Sequence, residues 1–251
     1  TAKLLSKTEA YQRKTNMAKF DNIKILSTRP LREELVHSAA FKGVQIDVAA
    51  FIKTQPITEY ATTVAIKQFA QQPITAIFTS MNAVEAVIAQ LSYVPEWKIF
   101  TLGGITRELV SQYFGENSIE ATGKNATNLA QKIVLHNHTQ PLVFFSGDQR
   151  LDELPEILKA NEIHVTELVV YQTILTPIAI TNQYDAVAFF SPSAVHSFFS
   201  ENTLPLTTVL FSIGKTTTAT IKTYVANQVI TSEWPGKEQL IDLAINYFTQ
   251  S

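Results

Sequence analysis

A shift of 111 residues lays one part of this chain onto another. Phe78, Ser80, Ala83, Val84, Phe100, Gly103 and Thr106 fall on Phe189, Ser191, Ala194, Val195, Phe211, Gly214 and Thr217. That is seven identities in 29 ungapped positions, where chance gives roughly two. Neighbouring pairs match in character, Ile99 with Leu210 and Leu102 with Ile213. A weaker echo relates Ile25-Leu26-Ser27 to Phe144-Phe145-Ser146, each followed by a helical pattern and a β-rich run. The chain therefore holds two copies of one unit.

Each copy alternates apolar runs with helical periodicity. Residues 23–26, 44–52, 74–78, 98–101, 142–145, 163–170, 186–190 and 209–213 read as strands. Residues 31–42 and 80–91 repeat apolar side chains at helical spacing, and Gly43 suits the end of the first helix. Strands alternating with helices give an α/β fold with parallel sheets covered on both faces. A tandem arrangement would divide the chain near residue 138. An interlaced one would make 57–173 a continuous lobe. Periodicity does not choose between them.

Composition removes several function classes. The 251 residues are 45% hydrophobic and 17% charged with a net charge of -2, so a large core forms and general nucleic-acid binding is disfavoured. The absence of cysteine excludes disulfides, thiolate metal sites and cysteine nucleophiles, and suits a cytoplasmic location. No run approaches the ~18 apolar residues of a membrane span. His136 and His138 read as a polar loop after a helix with no carboxylate nearby, so no metal is expected. Residues 1–19 read as a flexible basic tail, in which Met17 is an alternative start.

In open parallel sheets, ligands collect at the carboxyl ends of strands. Here those ends carry Thr28-Arg29-Pro30, Thr79-Ser80-Met81-Asn82, Gly103-Gly104-Ile105-Thr106, Ser191-Pro192-Ser193 and Gly214-Lys215-Thr216-Thr217. Pro30 and Pro192 suit first helical turns, and the hydroxyls suit N-caps. A serine or threonine so placed is a cap more often than a ligand, yet several together make an anion-receptive wall. Standard phosphate motifs fail. The P-loop glycine that should precede Gly214 by five residues is Val209, and Gly103-Gly104 lacks the third glycine of a dinucleotide fingerprint.

Five ordered segments, with the repeat, resemble the uroporphyrinogen-III synthase family. They are Ile77-Phe78-Thr79-Ser80-Met81-Asn82-Ala83-Val84, Phe144-Phe145-Ser146-Gly147-Asp148, Val170-Tyr171-Gln172-Thr173, Phe189-Phe190-Ser191-Pro192-Ser193-Ala194-Val195 and Ser212-Ile213-Gly214-Lys215-Thr216-Thr217. The resemblance spans roughly residues 22–248. It implies two flavodoxin-like lobes joined by a two-stranded β linker, favouring the interlaced order. Residues 20–50 and 178–251 would then form a discontinuous lobe, 57–173 the second, and 51–56 and 174–177 the linkers. It also implies a monomer without metal or organic cofactor. The reaction would be cyclisation of hydroxymethylbilane with inversion of ring D through a spiro-pyrrolenine, in a cleft between the lobes. A transient contact with hydroxymethylbilane synthase is the partner it suggests.

Carried over by position, Tyr171 matches the family's cleft-facing tyrosine, a proton donor or positioner for the departing hydroxyl. Thr216 and Thr217 match the paired threonines after the glycine, expected to bind substrate carboxylates. Ser80, Thr106, Ser191 and Ser193 match other lining positions. Two departures stand out. Met81-Asn82 replaces a frequent Pro-Arg, so Asn82 stands where a cation is common, and Lys215 replaces a proline. Lys215 or Arg29 would supply the missing charge.

Two other readings compete. A non-catalytic bilobed small-molecule binder would share the architecture, but it does not account for Tyr171 near a hinge. A flavodoxin-like FMN protein would need a hydroxyl-rich phosphate loop after the first strand, where Pro30 removes a donor.

Overall fold

A computed structural model describes residues 23–136, 139–234 and 236–249. The basic tail, Met17 and His138 lie outside these described residues. By contacts the chain divides into two compact units, one running to Lys53 and resuming at Leu175, the other Thr54–Ile174.

Unit 1 is a parallel sheet of β1 (Ile23–Ser27), β2 (Val44–Val48), β9 (Ala186–Phe189), β10 (Val209–Ser212) and β11 (Val229–Thr231). Its spatial order is β2-β1-β9-β10-β11, the flavodoxin-like order. Alternating side chains divide between the faces. Ile25, Ala186, Ala188, Val209 and Phe211 pack with α1 (Glu33–Phe41) and α9 (Lys237–Thr249). Leu26, Val187, Phe189 and Leu210 pack with α7 (Pro192–Phe199) and α8 (Lys215–Lys222).

Unit 2 repeats the plan with a different chain order. Its sheet contains β3 (Ile52–Pro56), β4 (Thr75–Phe78), β5 (Lys98–Leu102), β6 (Ile119–Gly123), β7 (Leu142–Gly147) and β8 (Val165–Leu175). The order β3-β8-β7-β4-β5-β6 is the unit 1 pattern with β7 and β8 in the places of β1 and β2, plus one added edge strand. Ala76, Phe78, Ile99, Val143 and Phe145 face α2 (Tyr60–Ala70), α3 (Met81–Ile88) and α4 (Ile105–Phe114). Ile77, Phe100, Leu142 and Phe144 face α5 (Ala126–Val134) and α6 (Glu153–Ala160). The Phe145 ring stacks with Phe78 at 5.2 Å and with Trp97 at 5.4 Å between centroids, adding specific ring contacts to the buried area.

The 111-residue shift carries α3 onto α7 without offset and β4 onto β9. Gly43, at φ 76°, ends α1 as expected, because a left-handed residue there suits glycine. Several boundaries differ from the sequence reading. The 44–52 run breaks into β2 and β3, while the 163–170 run extends to Leu175. Pro30 does not open a helix: α1 starts three residues later, at Glu33. Strands β6 and β11 were missed because both are only partly buried. His136 does have a carboxylate near it, with Glu120 Oε2 3.9 Å from its Nε2. No group of three ligating side chains occurs among the described residues, nor any helix long and apolar enough to cross a membrane.

Candidate functional site

In unit 2 the site grows from a bulge in β8. Ser146 pairs with Val169, but Gly147 pairs with Tyr171, so Val170 is an extra residue on β8. A bulge re-aims the side chains around it. Leu168, Val170 and Tyr171 therefore all reach the same hydrophobic cluster, which strict alternation would forbid. The Tyr171 ring lies directly on Gly147, where a Cβ would come within 2.3 Å of its Cζ. A Cβ there would push the ring aside, so the glycine lets Tyr171 sit where it does.

The Tyr171 hydroxyl donates to Ser80 Oγ at 3.2 Å. Ser80 is the N-cap of α3, and the same oxygen accepts the Asn82 backbone N–H at 3.2 Å. One serine oxygen thereby starts a helix and holds a tyrosine tip at the carboxyl ends of β4 and β7. Beside them, Asp148 accepts from the Thr173 N–H at 2.8 Å. Arg150 grips Glu167 through Nε at 2.5 Å and Nη2 at 2.8 Å, while Ser146 Oγ donates to Glu167 at 2.8 Å. The hydrogen bond with Arg150 is the chief reason the Glu167 carboxyl is held below its ordinary range. The same bond raises the Arg150 pKa. Thr106 lies one strand over, in the first turn of α4, with its side chain buried.

In unit 1, Ser191 repeats the capping role, accepting from the Ala194 N–H at 3.1 Å, with Pro192 as the first residue of α7 and half-buried Ser193 next. Thr28 is not a cap. Its N–H and hydroxyl both donate to the Ala188 carbonyl, at 3.1 and 2.8 Å, joining β1 to β9. The carbonyl of Arg29 accepts from Ser27 Oγ at 2.7 Å, and burial lowers the pKa of its guanidinium. The paired threonines separate: Thr216 is exposed beside exposed Lys215, whereas Thr217 is buried in the first turn of α8. A cavity of about 380 Å³ opens at the ends of β10 and β11, lined by Ile213, Gly214, Lys215, Thr231, Ser232 and Glu233. Hydroxyls of Ser212, Thr218 and Thr231 form a chain next to it.

Within unit 2 the structure brings Tyr171, Ser80 and Asn82 together. Arg29, Ser191, Ser193, Lys215 and Thr216 occupy strand ends of unit 1. Sequence reasoning missed Gly147 as the seat of Tyr171 and missed the Arg150–Glu167–Ser146 network. A glycine ending an apolar strand was the available signal for the first.

The model of the family described as uroporphyrinogen-III synthase HemD matches residues 33–242. No curated protein sequence matches the chain. Among solved structures, the chain is similar to uroporphyrinogen-III synthetase from Helicobacter pylori, with a TM-score of 0.65 and 15% identity over 90% of this chain and 100% of that one. It is also similar to a mutant uroporphyrinogen III synthase from the extremely thermophilic bacterium Thermus thermophilus, with a TM-score of 0.61 and 14% identity over 91% and 99% of the two chains. At such identities these two likenesses speak to the fold, and the sequence match speaks to descent. Because that match runs from α1 to α9 and so takes in both units, the chain belongs to the uroporphyrinogen-III synthase family.

Proposed function

We propose that this chain is a uroporphyrinogen-III synthase, a cyclising lyase that converts hydroxymethylbilane to uroporphyrinogen III. The observation that carries the reading is the family match across residues 33–242. Loss of the terminal hydroxyl as water leaves an electrophilic azafulvene carbon. That carbon bonds to the substituted position of ring D, giving a spiro-pyrrolenine. Cleavage of the older bond at that position and recombination then close the macrocycle with ring D inverted. The bilane closes unaided to the uninverted isomer, so the enzyme's task is chiefly to fix a conformation that excludes this path.

Tyr171 is the side chain proposed to assist departure of the hydroxyl. Its single O–H proton rests on Ser80 Oγ and would turn to the departing hydroxyl once substrate is bound, the ring held in place against Gly147. A hydroxyl leaves readily only as water, so a positioned O–H donor lowers that barrier. Asn82, Thr106, Ser191, Ser193, Lys215, Thr216, Thr217 and Arg29 are proposed to contact substrate. Exposed Lys215 and Thr216 suit carboxylate binding directly, and buried Thr217 suits it only through the helix start that it supports. A monomeric, cytoplasmic enzyme supplied through transient contact with the bilane-forming synthase completes the reading.

The test incubates the protein with enzymatically generated hydroxymethylbilane, oxidises the products and separates the type I and III isomers. Isomer III in excess is expected. Isomer I alone, at the uncatalysed rate, overturns the reading in favour of a non-catalytic binder.

A further inference from the structure

Unit 1 carries two cations at its carboxyl edge that form no ion pair among the described residues. Arg29 follows β1 at the switch point beside β9, half-buried, and its guanidinium has no hydrogen-bond or ion-pair partner among the described residues. Lys237 opens α9 and is likewise without an ion pair there. Two contacts bind the Arg29 loop to the first turn of that helix. Arg32 Nη2 meets Glu238 Oε1 at 2.7 Å, and Leu31 packs against the cluster containing Leu240 and Ile241. Burial is the main cause lowering the Lys237 pKa, followed by the positive charge of Arg29, while the Glu238 carboxylate, already paired with Arg32, opposes them.

The repeat shows that the fold does not require either charge. Asp148 occupies the place of Arg29 after the matching strand of unit 2, where it has a structural partner in the Thr173 N–H. Ala126 occupies the place of Lys237 at the start of α5. Holding two cations beside each other is unfavourable unless an anion lies between them.

We propose that Arg29 and Lys237 form a carboxylate-binding site that seats an acidic side chain of the substrate. The identity of that substrate rests on the synthase reading above; the preference for a carboxylate rests on the two charges. Arg29 would grip the carboxylate through two parallel N–H groups, and Lys237 would add a point charge. Arg32 is already engaged by Glu238 and is not part of the site. Trp234, 70% exposed and three residues before Lys237, is a natural reporter because the other tryptophan, Trp97, is buried.

The test compares wild type with Arg29→Gln, Lys237→Gln, the double variant and Lys222→Gln, the last removing an exposed cation from the far end of α8. Two quantities are read: KM for hydroxymethylbilane, and the affinity for uroporphyrin III, a stable polycarboxylate, followed by Trp234 fluorescence and calorimetry. Arg29→Gln and Lys237→Gln should each weaken both by about tenfold, with kcat little changed. The double variant should lose less than the product of the two, since both side chains grip one group. Lys222→Gln should change neither.

Uroporphyrin III affinity unchanged in both single variants, or weakened no more than by Lys222→Gln, overturns the site. If Arg29→Gln does not fold, Lys237→Gln at its exposed helix start decides alone. Wild type that makes only isomer I while the variants lose uroporphyrin III binding keeps the site and overturns the synthase reading. Isomer III with unchanged KM and uroporphyrin III affinity in the variants does the reverse.

Discussion

Units 1 and 2 share a skeleton and differ at its rim. Ser80 and Ser191 start equivalent helices, and Thr106 and Thr217 are buried in equivalent first turns. At the rim of unit 2, Asp148 is met by a backbone N–H, and Arg150 by Glu167 and Asp152. In unit 1, Arg29, Lys215 and Lys237 form no ion pair among the described residues. Residues that recur between the copies are mostly those that a strand–helix junction needs. Those that do not recur, Tyr171 above all, are the better candidates for chemistry.

The sharpest way to break this contrast is Tyr171→Phe. It should slow isomer III formation on the order of 100-fold, as loss of a positioned acid does, while circular dichroism stays native. An unchanged rate would make Tyr171 a packing residue like others of its cluster.

Gly147→Ala should follow, with roughly a tenfold loss, because even a small displacement of Tyr171 is costly. Thr28 is the counterpart of Gly147 after β1 and already carries a Cβ. Thr28→Ala should cost about 1 kcal/mol of stability, from its lost hydrogen bond to Ala188, and leave the rate alone. Equal kinetic effects of the two substitutions would show that the units share the chemistry evenly.

Ser80→Ala and Ser191→Ala should each cost about 1 kcal/mol in urea unfolding, the usual loss of an N-cap. Ser80→Ala should also lower kcat by about fivefold, because Ser80 holds a tyrosine, whereas Ser191→Ala should act on KM alone.

The smallest effect belongs to acid. Glu167 is held below its ordinary value chiefly by Arg150, so the clamp contributes fully above the ordinary carboxylate range. It is lost as pH falls through the folded value. The melting temperature of wild type should exceed that of Glu167→Gln at neutral pH, by an amount corresponding to about 1 kcal/mol, and converge with it in acid.

Much of the fold could be read because each buried strand is a compact apolar run, and each copy checks the other. Strands β6 and β11 escaped because their side chains are only partly buried, leaving little hydrophobic signal. Pro30 misled because proline suits a loop as well as a first turn. Tyr171 and Ser80 were each found by resemblance, but the hydrogen bond between them was not, since they lie 91 residues apart. The bulge at Val170 was equally hidden. It depends on how β7 and β8 register, and no local pattern in β8 encodes that.

The chain leaves unit 1 in β3 and returns to it at the end of β8, so unit 2 is one uninterrupted segment. Its core can assemble as soon as residue 174 is available. The first two strands of unit 1 must wait for β9: the Lys24 N–H meets the Asp185 carboxylate across 161 residues of sequence. A loop that long is costly to close as an open coil but shorter in effect once the intervening segment has condensed. During synthesis, unit 2 should therefore fold first and bring β1 within reach of its late-arriving neighbours. An amino-terminal fragment ending before β9 would leave one edge of β1 without its partner, an invitation to pairing between chains.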